Sequence, residues 1–321
     1  MSEFKKLSVS ECADRLLALT DVAVAMHVRP DGDTAGSCAA LLEILMQLGK
    51  KPVYICHDEI PKRLAFILEG YEKGTPHCQR EVVAIDVASP SQLGSLYETD
   101  LPSLSIDHHE MNTPYCDNYT VSSASSAGEV LYAVAKELMA RGKIRMTKAL
   151  ARALYTAISS DTGGFMYSNA AKSTYICAAE LISEDIDHAE INRRLFSSKS
   201  AELLRAEGFA AANLRTSKDG RISYVVISKS DRDALSLPME SFETAIDVAR
   251  SLMGAEIAFV VKENDKGEYK ASLRSTGANV AGVAALHSGG GHIRAAGCTV
   301  AVESAEAAAS ILLSELEELI S

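Results

Sequence analysis

The chain has 321 residues, of which 47% are hydrophobic and 23% are charged, and its formal net charge is -11. This length and composition predict a folded protein with room for two domains. The negative charge argues against binding of long DNA or RNA, which needs a basic surface, but it allows small anionic substrates that metal ions help to bind.

The sequence also carries no signal for a membrane or for disulfides. No apolar run approaches the roughly 20 residues of a spanning helix, and the first residues lack the apolar core of a signal peptide. The seven cysteines are odd in number and are never spaced as Cys-x-x-Cys. We therefore expect a cytoplasmic protein without membrane association, a disulfide framework or a thiolate zinc site.

The first half of the sequence alternates predicted strands and helices. Short apolar runs predict strands at 22–28, 52–56, 81–86 and 104–107, and apolar residues at helical spacing predict helices at 34–48, 126–140 and 147–159. This alternation predicts an α/β fold whose parallel sheet is covered by helices on both faces.

The second half has a different pattern. Residues 171–212 read as helical, and later strands are predicted at 222–228, 256–262 and 269–275, followed by an amphipathic helix at 304–319. We therefore expect an N-terminal domain at 1–190, a helical linker at 191–219 and a smaller α/β domain at 220–321.

Carboxylates and imidazoles recur where the elements of the first half end. They are His27, Asp31 and Asp33 after the first strand, Asp86 after the third, Asp107, His108 and His109 after the fourth, and Asp161 after a helix. Ligands of parallel sheets bind beyond the carboxyl ends of the strands, so these side chains can converge. Such a set suits two divalent cations and favours hydrolysis of a phosphate ester.

Each of these residues also has an ordinary structural explanation. An aspartate that ends a strand, such as Asp86 or Asp107, is commonly a turn former or a helix cap. Asp31-Gly32-Asp33 alone would be read as a turn, and a histidine pair is commonly a polar surface feature. Their shared order and placement at strand ends favour the metal site.

Several longer motifs appear in order along almost the whole chain. They are His-x-x-x-Asp-x-Asp at 27–33, Asp-His-His at 107–109, Ser-Asp-Thr-Gly-Gly-Phe at 160–165, Ser-Leu-Arg-Ser at 272–275, and Gly-Gly-Gly-His-Ile-Arg-Ala-Ala-Gly at 289–297. This set resembles the DHH phosphoesterases with a C-terminal DHHA1 domain. It is most similar to their nanoRNase type, which comprises bifunctional oligoribonucleases and pAp phosphatases.

The resemblance implies roles for the residues of the first half. One metal ion would be held by His27, Asp31 and Asp86, and the other by Asp33, Asp86, His108 and Asp161, so that Asp86 bridges the two. His109 would face a phosphoryl oxygen or the leaving group, and Asp107 would orient the histidine pair. Oxygen-rich ligation with imidazoles favours Mn²⁺, with Mg²⁺ or Co²⁺ as substitutes.

The second half carries the candidate substrate-binding residues. Gly289, Gly290 and Gly291 allow backbone amides to approach an anion, and His292 could add a hydrogen bond or a stacking surface, although a tight turn is the alternative reading. The resemblance favours Arg274 as a grip for a substrate phosphate, with Ser272 on the same strand face as a helper. A plain surface arginine is the alternative.

The implied function is metal-dependent hydrolysis of dinucleotides and short oligoribonucleotides to mononucleotides, and of pAp or pApA. A cleft between the two domains would limit substrate length and exclude long duplexes. The alternatives are a phosphodiesterase for cyclic dinucleotides such as c-di-AMP and a nucleotide-sensing module without turnover. The resemblance also admits a homodimer, for which the sequence defines no interface.

Overall fold

The structure, a computed structural model, describes residues 4–76, 80–111 and 113–320. Contacts between residues divide the chain into two units, residues 1–198 and 199–321. The division falls within the segment that we predicted as a linker, and the limits of that linker and of its flanking domains stay predictions.

The first unit begins with a helix and then alternates strands and helices. Its elements are α1 (Val9–Ala18), β1 (Val22–Ala25), α2 (Gly32–Gln47), β2 (Val53–Ile55), β3 (Glu81–Ile85), α3 (Leu96–Thr99), β4 (Pro102–Asp107), β5 (Asp117–Thr120), α4 (Ala127–Ala140), α5 (Lys148–Asp161), α6 (Lys172–Ile182) and α7 (His188–Asn192). Short 3-10 turns lie at Lys62–Ile67 and Pro90–Leu93, and a π-helical turn lies at Arg193–Ser197.

The five strands of this unit form one parallel sheet in the order β2-β1-β3-β4-β5. Along β1, Val22 and Val24 belong to the large core shared with the long helices. Ala23 and Ala25 point to the other face, where Leu93 and Leu96 of the short helical segments cover them. The predicted parallel sheet with helices on both faces is therefore confirmed.

Close packing of α2, α4 and α5 fixes the carboxyl edge of this sheet. A Cβ atom at Gly36 of α2 would lie 2.7 Å from the backbone nitrogen of Ala157 in α5. A Cβ atom at Gly128 of α4 would lie 2.5 Å from the side chain of the same alanine. Because glycine allows this approach, the start of α2, the start of α4 and the end of α5 meet beside the strand ends.

The second unit is a six-stranded mixed sheet with helices on both faces. Its elements are α8 (Ala201–Ala212), β6 (Arg215–Thr216), β7 (Ile222–Ile227), α9 (Lys229–Leu235), α10 (Ala245–Arg250), β8 (Ile257–Glu263), β9 (Tyr269–Ser275), α11 (Val280–Leu286), β10 (Gly290–His292), β11 (Ala295–Val300) and α12 (Ala305–Glu318). The strand order is β10-β11-β9-β8-β7-β6. Only β7 and β8 pair in parallel; the other neighbours are antiparallel. The predicted second α/β fold is confirmed.

Two of the predicted elements differ from the structure by more than two residues, and some elements, such as α1 and β5, were not predicted. The first strand ends at Ala25 rather than at residue 28, because the chain turns at Arg29, which has a φ of 53°. The stretch 171–212 is not one continuous helix but is interrupted after α6 and again at Ser198–Ser200.

The cysteines and helices agree with an ordinary folded chain. The six cysteines within the described residues are buried and free, and Cys78 lies outside those residues. None of the helices in the described ranges combines the length and apolar character that a membrane span needs.

Candidate metal centre

Asp86 lies at the middle of the side chains that gather at the carboxyl edge of the first sheet. It follows β3 directly, it is 3% exposed, and its φ of 59° is in the left-handed region. Its backbone N–H donates to the carbonyl of Ile106 at 2.9 Å, which ties this strained residue to β4. Residues held in such a conformation cluster at functional sites.

The two carboxylate oxygens of Asp86 face different imidazoles. Oδ2 lies 3.6 Å from Nε2 of His27, whereas Oδ1 lies 3.7 Å from Nε2 of His108. Both distances are too long for hydrogen bonds. Two ligands about 2.1 Å from one cation lie about 3.0 to 3.4 Å apart at angles of 90 to 109°. The observed oxygen–nitrogen separations of 3.6 and 3.7 Å are therefore slightly longer than the separation between two ligands of one cation.

His27 and Asp31 complete the group on one side of Asp86. The Nδ1 atom of His27 lies 2.8 Å from the carbonyl of Val28, which leaves Nε2 to face the carboxylates. That Nε2 atom is 3.8 Å from Oδ1 of Asp31. Asp31 also caps α2 by accepting the N–H groups of Asp33 and Thr34, both at 3.0 Å. Asp31 is therefore a helix cap, which the turn reading of Asp31-Gly32-Asp33 did not anticipate, and the same carboxylate also faces His27.

A second group forms around Nε2 of His108. Oδ2 of Asp33 lies 3.7 Å from this atom, and Oδ2 of Asp161 lies 3.8 Å from it. Asp33 is fully buried and accepts the N–H groups of Ala127 and Gly128 at the start of α4, at 2.7 and 3.1 Å. These backbone donors hold the carboxylate at a helix N-terminus, where negative charge is favoured.

His109 and Asp107 form a hydrogen-bonded pair at the edge of the same cluster. Oδ1 of the fully buried Asp107 accepts from Nδ1 of His109 at 2.7 Å. This hydrogen bond raises the pKa of His109 and favours the protonated ring. The same Nδ1 atom lies 3.7 Å from Oδ1 of Asp86. Asp107 thus fixes the orientation of a partly exposed histidine beside the metal-ligand candidates.

The electrostatics of the cluster fit divalent cations. Burial raises the pKa of Asp33 well above its usual range, and the charges of Asp86 and Asp161 add to the rise. Burial likewise raises the pKa of Asp161 to about 6. Oδ1 of Asp86 is buried without a hydrogen-bond partner, which is costly for a carboxylate oxygen. Cations would relieve this repulsion and give that oxygen a partner.

All six predicted metal ligands therefore come together in the first unit. Within the described residues, the sets that could each hold an ion are His27, Asp31 and Asp86; Asp33, His108 and Asp161; and Asp86, His108 and His109. Their imidazole nitrogens and carboxylate oxygens are donors that suit Mn²⁺ and related cations. Their roles as ligands stay a proposal.

Comparisons with known proteins agree with this geometry. The DHH family, N-terminal domain, matches residues 21–158, and the DHHA1 domain matches residues 222–320. The bifunctional oligoribonuclease and PAP phosphatase NrnA of Bacillus subtilis is 30% identical to this chain, over 89% of it and 91% of the relative. The chain belongs to the DHH family.

Solved structures show the same fold. An exopolyphosphatase-related protein from Bacteroides fragilis superposes with a TM-score of 0.85 at 21% identity, covering 97% of each chain. RecJ from Thermus thermophilus in complex with Mn²⁺ superposes with a TM-score of 0.55 at 13% identity, covering 97% of this chain and 54% of RecJ. The DHH and DHHA1 architecture predicted from the motifs is confirmed.

In the DHHA1 domain, Arg274 lines a surface cavity of about 390 Å³ together with Arg250 and Arg294. Register puts Arg274 in one cross-strand row with Ala258, Ala295 and His292. Ser272 lies one row further along the same face, opposite Val260 and Gly297. The structure thus places Ser272 and Arg274 on one face, as alternation along the strand predicts.

The three glycines of this DHHA1 motif differ in their surroundings. A Cβ atom at Gly289 would lie 2.2 Å from the carbonyl oxygen of Gly297, and one at Gly291 would lie 2.4 Å from that of Ala295. Gly291 also has a φ of 144°. Gly290 faces open space. Close pairing with β11 therefore explains Gly289 and Gly291, which is neither the tight turn nor the anion site considered from the sequence, whereas Gly290 is free to face a ligand.

Sequence reasoning did not single out two of the three arginines. Arg294 lies within the glycine-rich motif, so its position there was the available signal. Arg250 ends α10 and has no motif around it; it reaches the cavity only because α10 packs beside β8 and β9. Its Nε atom forms an ion pair with Oδ1 of Asp247 at 3.2 Å.

Proposed function

We propose that this chain is a metal-dependent hydrolase that cleaves short oligoribonucleotides to mononucleotides and converts pAp to AMP. The observation that carries the proposal is Asp86, whose two oxygens face His27 and His108. One carboxylate shared between two sets of oxygen and imidazole ligands suits a two-metal centre for phosphate esters. The Bacillus subtilis relative is named for both activities, which supports this substrate class.

Two divalent cations are the proposed cofactors, with Mn²⁺ as the preferred ion and Mg²⁺ or Co²⁺ as substitutes. His27, Asp31 and Asp86 would hold one cation, and Asp33, Asp86, His108 and Asp161 the other. The mixed oxygen and nitrogen donors support this choice. When bound, the cations supply Lewis acidity toward the phosphate and lower the pKa of a nucleophilic water.

His109 is the proposed proton donor to the leaving group or hydrogen-bond donor to a phosphoryl oxygen. Its Nδ1 is engaged by Asp107 at 2.7 Å, so Nε2 is the atom available to the substrate. The raised pKa supports a protonated ring that can donate from Nε2. Asp107 acts through His109 as a positioning residue.

The DHHA1 domain is proposed to hold the far end of the substrate. Arg274 would bind a phosphate, with Ser272, Gly290 and His292 nearby and with Arg250 and Arg294 adding positive charge to the same cavity. An overall charge of -11 supports short substrates over long strands. A cytoplasmic location and a homodimer stay predictions.

A substrate panel tests the proposal. The purified chain with Mn²⁺ is incubated with RNAs of increasing length from the dinucleotide, with pAp, with pApA and with c-di-AMP. We expect mononucleotides from the shortest RNAs and AMP from pAp, with turnover falling as length increases. An Arg274→Ala variant should raise KM more than it lowers kcat.

The same panel separates the alternatives. Faster cleavage of c-di-AMP than of pApA would replace the proposal with a cyclic-dinucleotide phosphodiesterase. Calorimetric binding of pAp without any release of phosphate, in Mn²⁺, Mg²⁺ and Co²⁺ alike, would replace it with a nucleotide-sensing module.

A further inference from the structure

The π-helical turn Arg193–Ser197 is held firmly against the end of α5. The turn closes with a hydrogen bond from the backbone nitrogen of Ser198 to the carbonyl of Arg193, at 2.7 Å. Immediately before it, Asn192 accepts from Ser159 Oγ at 2.6 Å and donates to the hydroxyl of Tyr155 at 3.1 Å. Turns of this type are rare and are often found at functional sites.

Two consecutive side chains of this turn lie against residues close in sequence to candidate metal ligands. Leu195 is 3.5 Å from the position of a Cβ atom on Gly32, the residue between Asp31 and Asp33. Ring atoms of Phe196 lie 3.4 to 4.0 Å from the Cβ position of Gly164, three residues after Asp161. The turn therefore packs against the chain on either side of candidate ligands, at Gly32 and at Gly164.

Phe196 remains 38% exposed in this position, and the glycine that its ring contacts is close along the chain to the carboxylate of Asp161. Tyr167 is 50% exposed, and its ring lies against Gly163, the neighbour of Gly164. A single exposed ring is ordinary on a protein surface. Here two exposed rings lie against adjacent glycines, within three residues of Asp161, so both rings are available beside the candidate ligands.

We infer that Phe196, assisted by Tyr167, is a stacking surface for the nucleobase that adjoins the scissile phosphate. This inference rests on the proposed function, since it assigns the base-binding part of the same site. Gly164 is within about 11 Å of Asp161 along the chain, so the ring is close enough to reach a base attached to the reacting nucleotide. Because every base has a π-face, this surface selects substrates that carry a base with little preference for its identity.

The test compares Phe196→Leu with the wild type on a dinucleotide and on its analogue that lacks the base next to the scissile phosphate. Loss of stacking should raise KM for the dinucleotide about tenfold or more, with kcat nearly unchanged. KM for the abasic analogue should stay the same in both proteins. Phe196→Trp, which keeps a stacking ring, should retain the wild-type KM for the dinucleotide.

Phe4→Leu is the matched control. Phe4 is 44% exposed, and the backbone nitrogen of the next residue, Lys5, donates to Asp117, which begins β5. This places the control ring at the amino edge of the parallel sheet, opposite the metal centre. Equal rises in KM for both substrates in Phe196→Leu would indicate a structural role and overturn the inference.

A second measurement does not depend on turnover. A phosphorothioate-linked dinucleotide that contains 2-aminopurine should lose fluorescence on binding to the wild type and to Phe196→Trp, and to a much smaller extent on binding to Phe196→Leu. Quenching without any hydrolysis of the natural dinucleotide would refute the proposed function and leave the stacking surface standing. Absence of quenching in the wild type would refute the stacking surface, whether or not hydrolysis occurs.

Discussion

Asp86 connects the two ligand groups, and its replacement is the most direct test of the centre. In Asp86→Ala, His27 and His108 each lose a facing carboxylate oxygen, so both cation sites lose a ligand. We expect the variant to lose Mn²⁺ binding and its kcat/KM to fall about a thousandfold or more. The loss is this large because the cations stabilise the charge of the transition state. Calorimetry with Mn²⁺ and steady-state kinetics on a dinucleotide measure the two effects.

An exposed aspartate in the same unit provides the control for Asp86. Asp14 forms a surface ion pair with Arg141 at 2.6 Å, and such pairs contribute little to stability. Asp14→Ala should bind Mn²⁺ and turn over substrate like the wild type. Wild-type turnover by Asp86→Ala would contradict the bridging assignment.

Gly32 is the residue at which an added methyl group should disturb the centre without removing any ligand. A Cβ atom there would lie 2.2 Å from Oγ and 2.7 Å from Cβ of Ser160. Gly32→Ala must therefore push the start of α2 away from the end of α5, which separates Asp33 from Asp161. We expect a loss of about 1 to 3 kcal/mol in the free energy of unfolding, measured with urea, and weaker Mn²⁺ binding.

Two further variants isolate this steric effect. Gly208 lies inside α8 with nothing within 4 Å of its Cβ position, so Gly208→Ala should stabilise the protein by about 0.5 to 1 kcal/mol. Adding Ser160→Gly to Gly32→Ala removes the clash and should restore part of the lost Mn²⁺ affinity. Equal effects of the two glycine substitutions would contradict the close approach of α2 and α5.

At the scale of elements, Glu129 joins α4 to α6 and makes their packing depend on pH. Its Oε2 accepts from the backbone nitrogen and hydroxyl of Ser125, at 3.0 and 2.7 Å, and from Thr174 Oγ1 at 2.8 Å. Burial opposes ionisation, but these hydrogen bonds together lower the pKa of Glu129 below its usual value. The carboxylate therefore stabilises the fold above the unfolded pKa, and this contribution is lost as pH falls through the folded pKa.

Glu129→Gln should remove that dependence. We expect the variant to be about 1 to 3 kcal/mol less stable than the wild type near neutral pH. The difference should shrink once the pH falls below about 4, measured by urea unfolding at several pH values. Glu137→Gln, on the same helix and paired with Arg141, is the control and should stay close to the wild type at every pH. A difference that grows in acid would contradict the assignment.

Some elements could be predicted from the sequence because burial left a clear pattern. The strand β3 is an apolar run with four buried residues, and the aspartate that follows it marks its end. The strand β5 has the polar sequence Asp-Asn-Tyr-Thr at the edge of the sheet, so no apolar run indicated it. The interruption of the helical stretch after α6 was missed, although Asp185 and the helix-capping Asp187 were signals for it.

At the scale of the whole molecule, the metal-ligand candidates could be predicted because parallel strands bring their carboxyl ends to one edge. The order of the strands alone was enough to predict that Asp86 and His108 lie close together. Arg250 and Phe196 could not be found this way. Their positions depend on how α10 packs on the second sheet and on how a π-helical turn meets Gly164. Such contacts are set by packing, which leaves no periodic signal in the sequence.

The division into two units gives a final prediction. All the proposed ligands belong to residues 1–198, so cation binding should slow local opening there and leave the second unit unchanged. We expect Mn²⁺ to slow amide hydrogen exchange in peptides that cover the ends of β1, β3 and β4 and the start of α2. Peptides from β9 and β11 should exchange at the same rate with and without Mn²⁺. The Asp86→Ala variant is the control, because its exchange should not respond to Mn²⁺ in either unit. Slower exchange in residues 199–321 of the wild type, without slower exchange at the ends of β1, β3 and β4, would mean that the cations bind outside the proposed centre. The ligand assignment would then have to be abandoned.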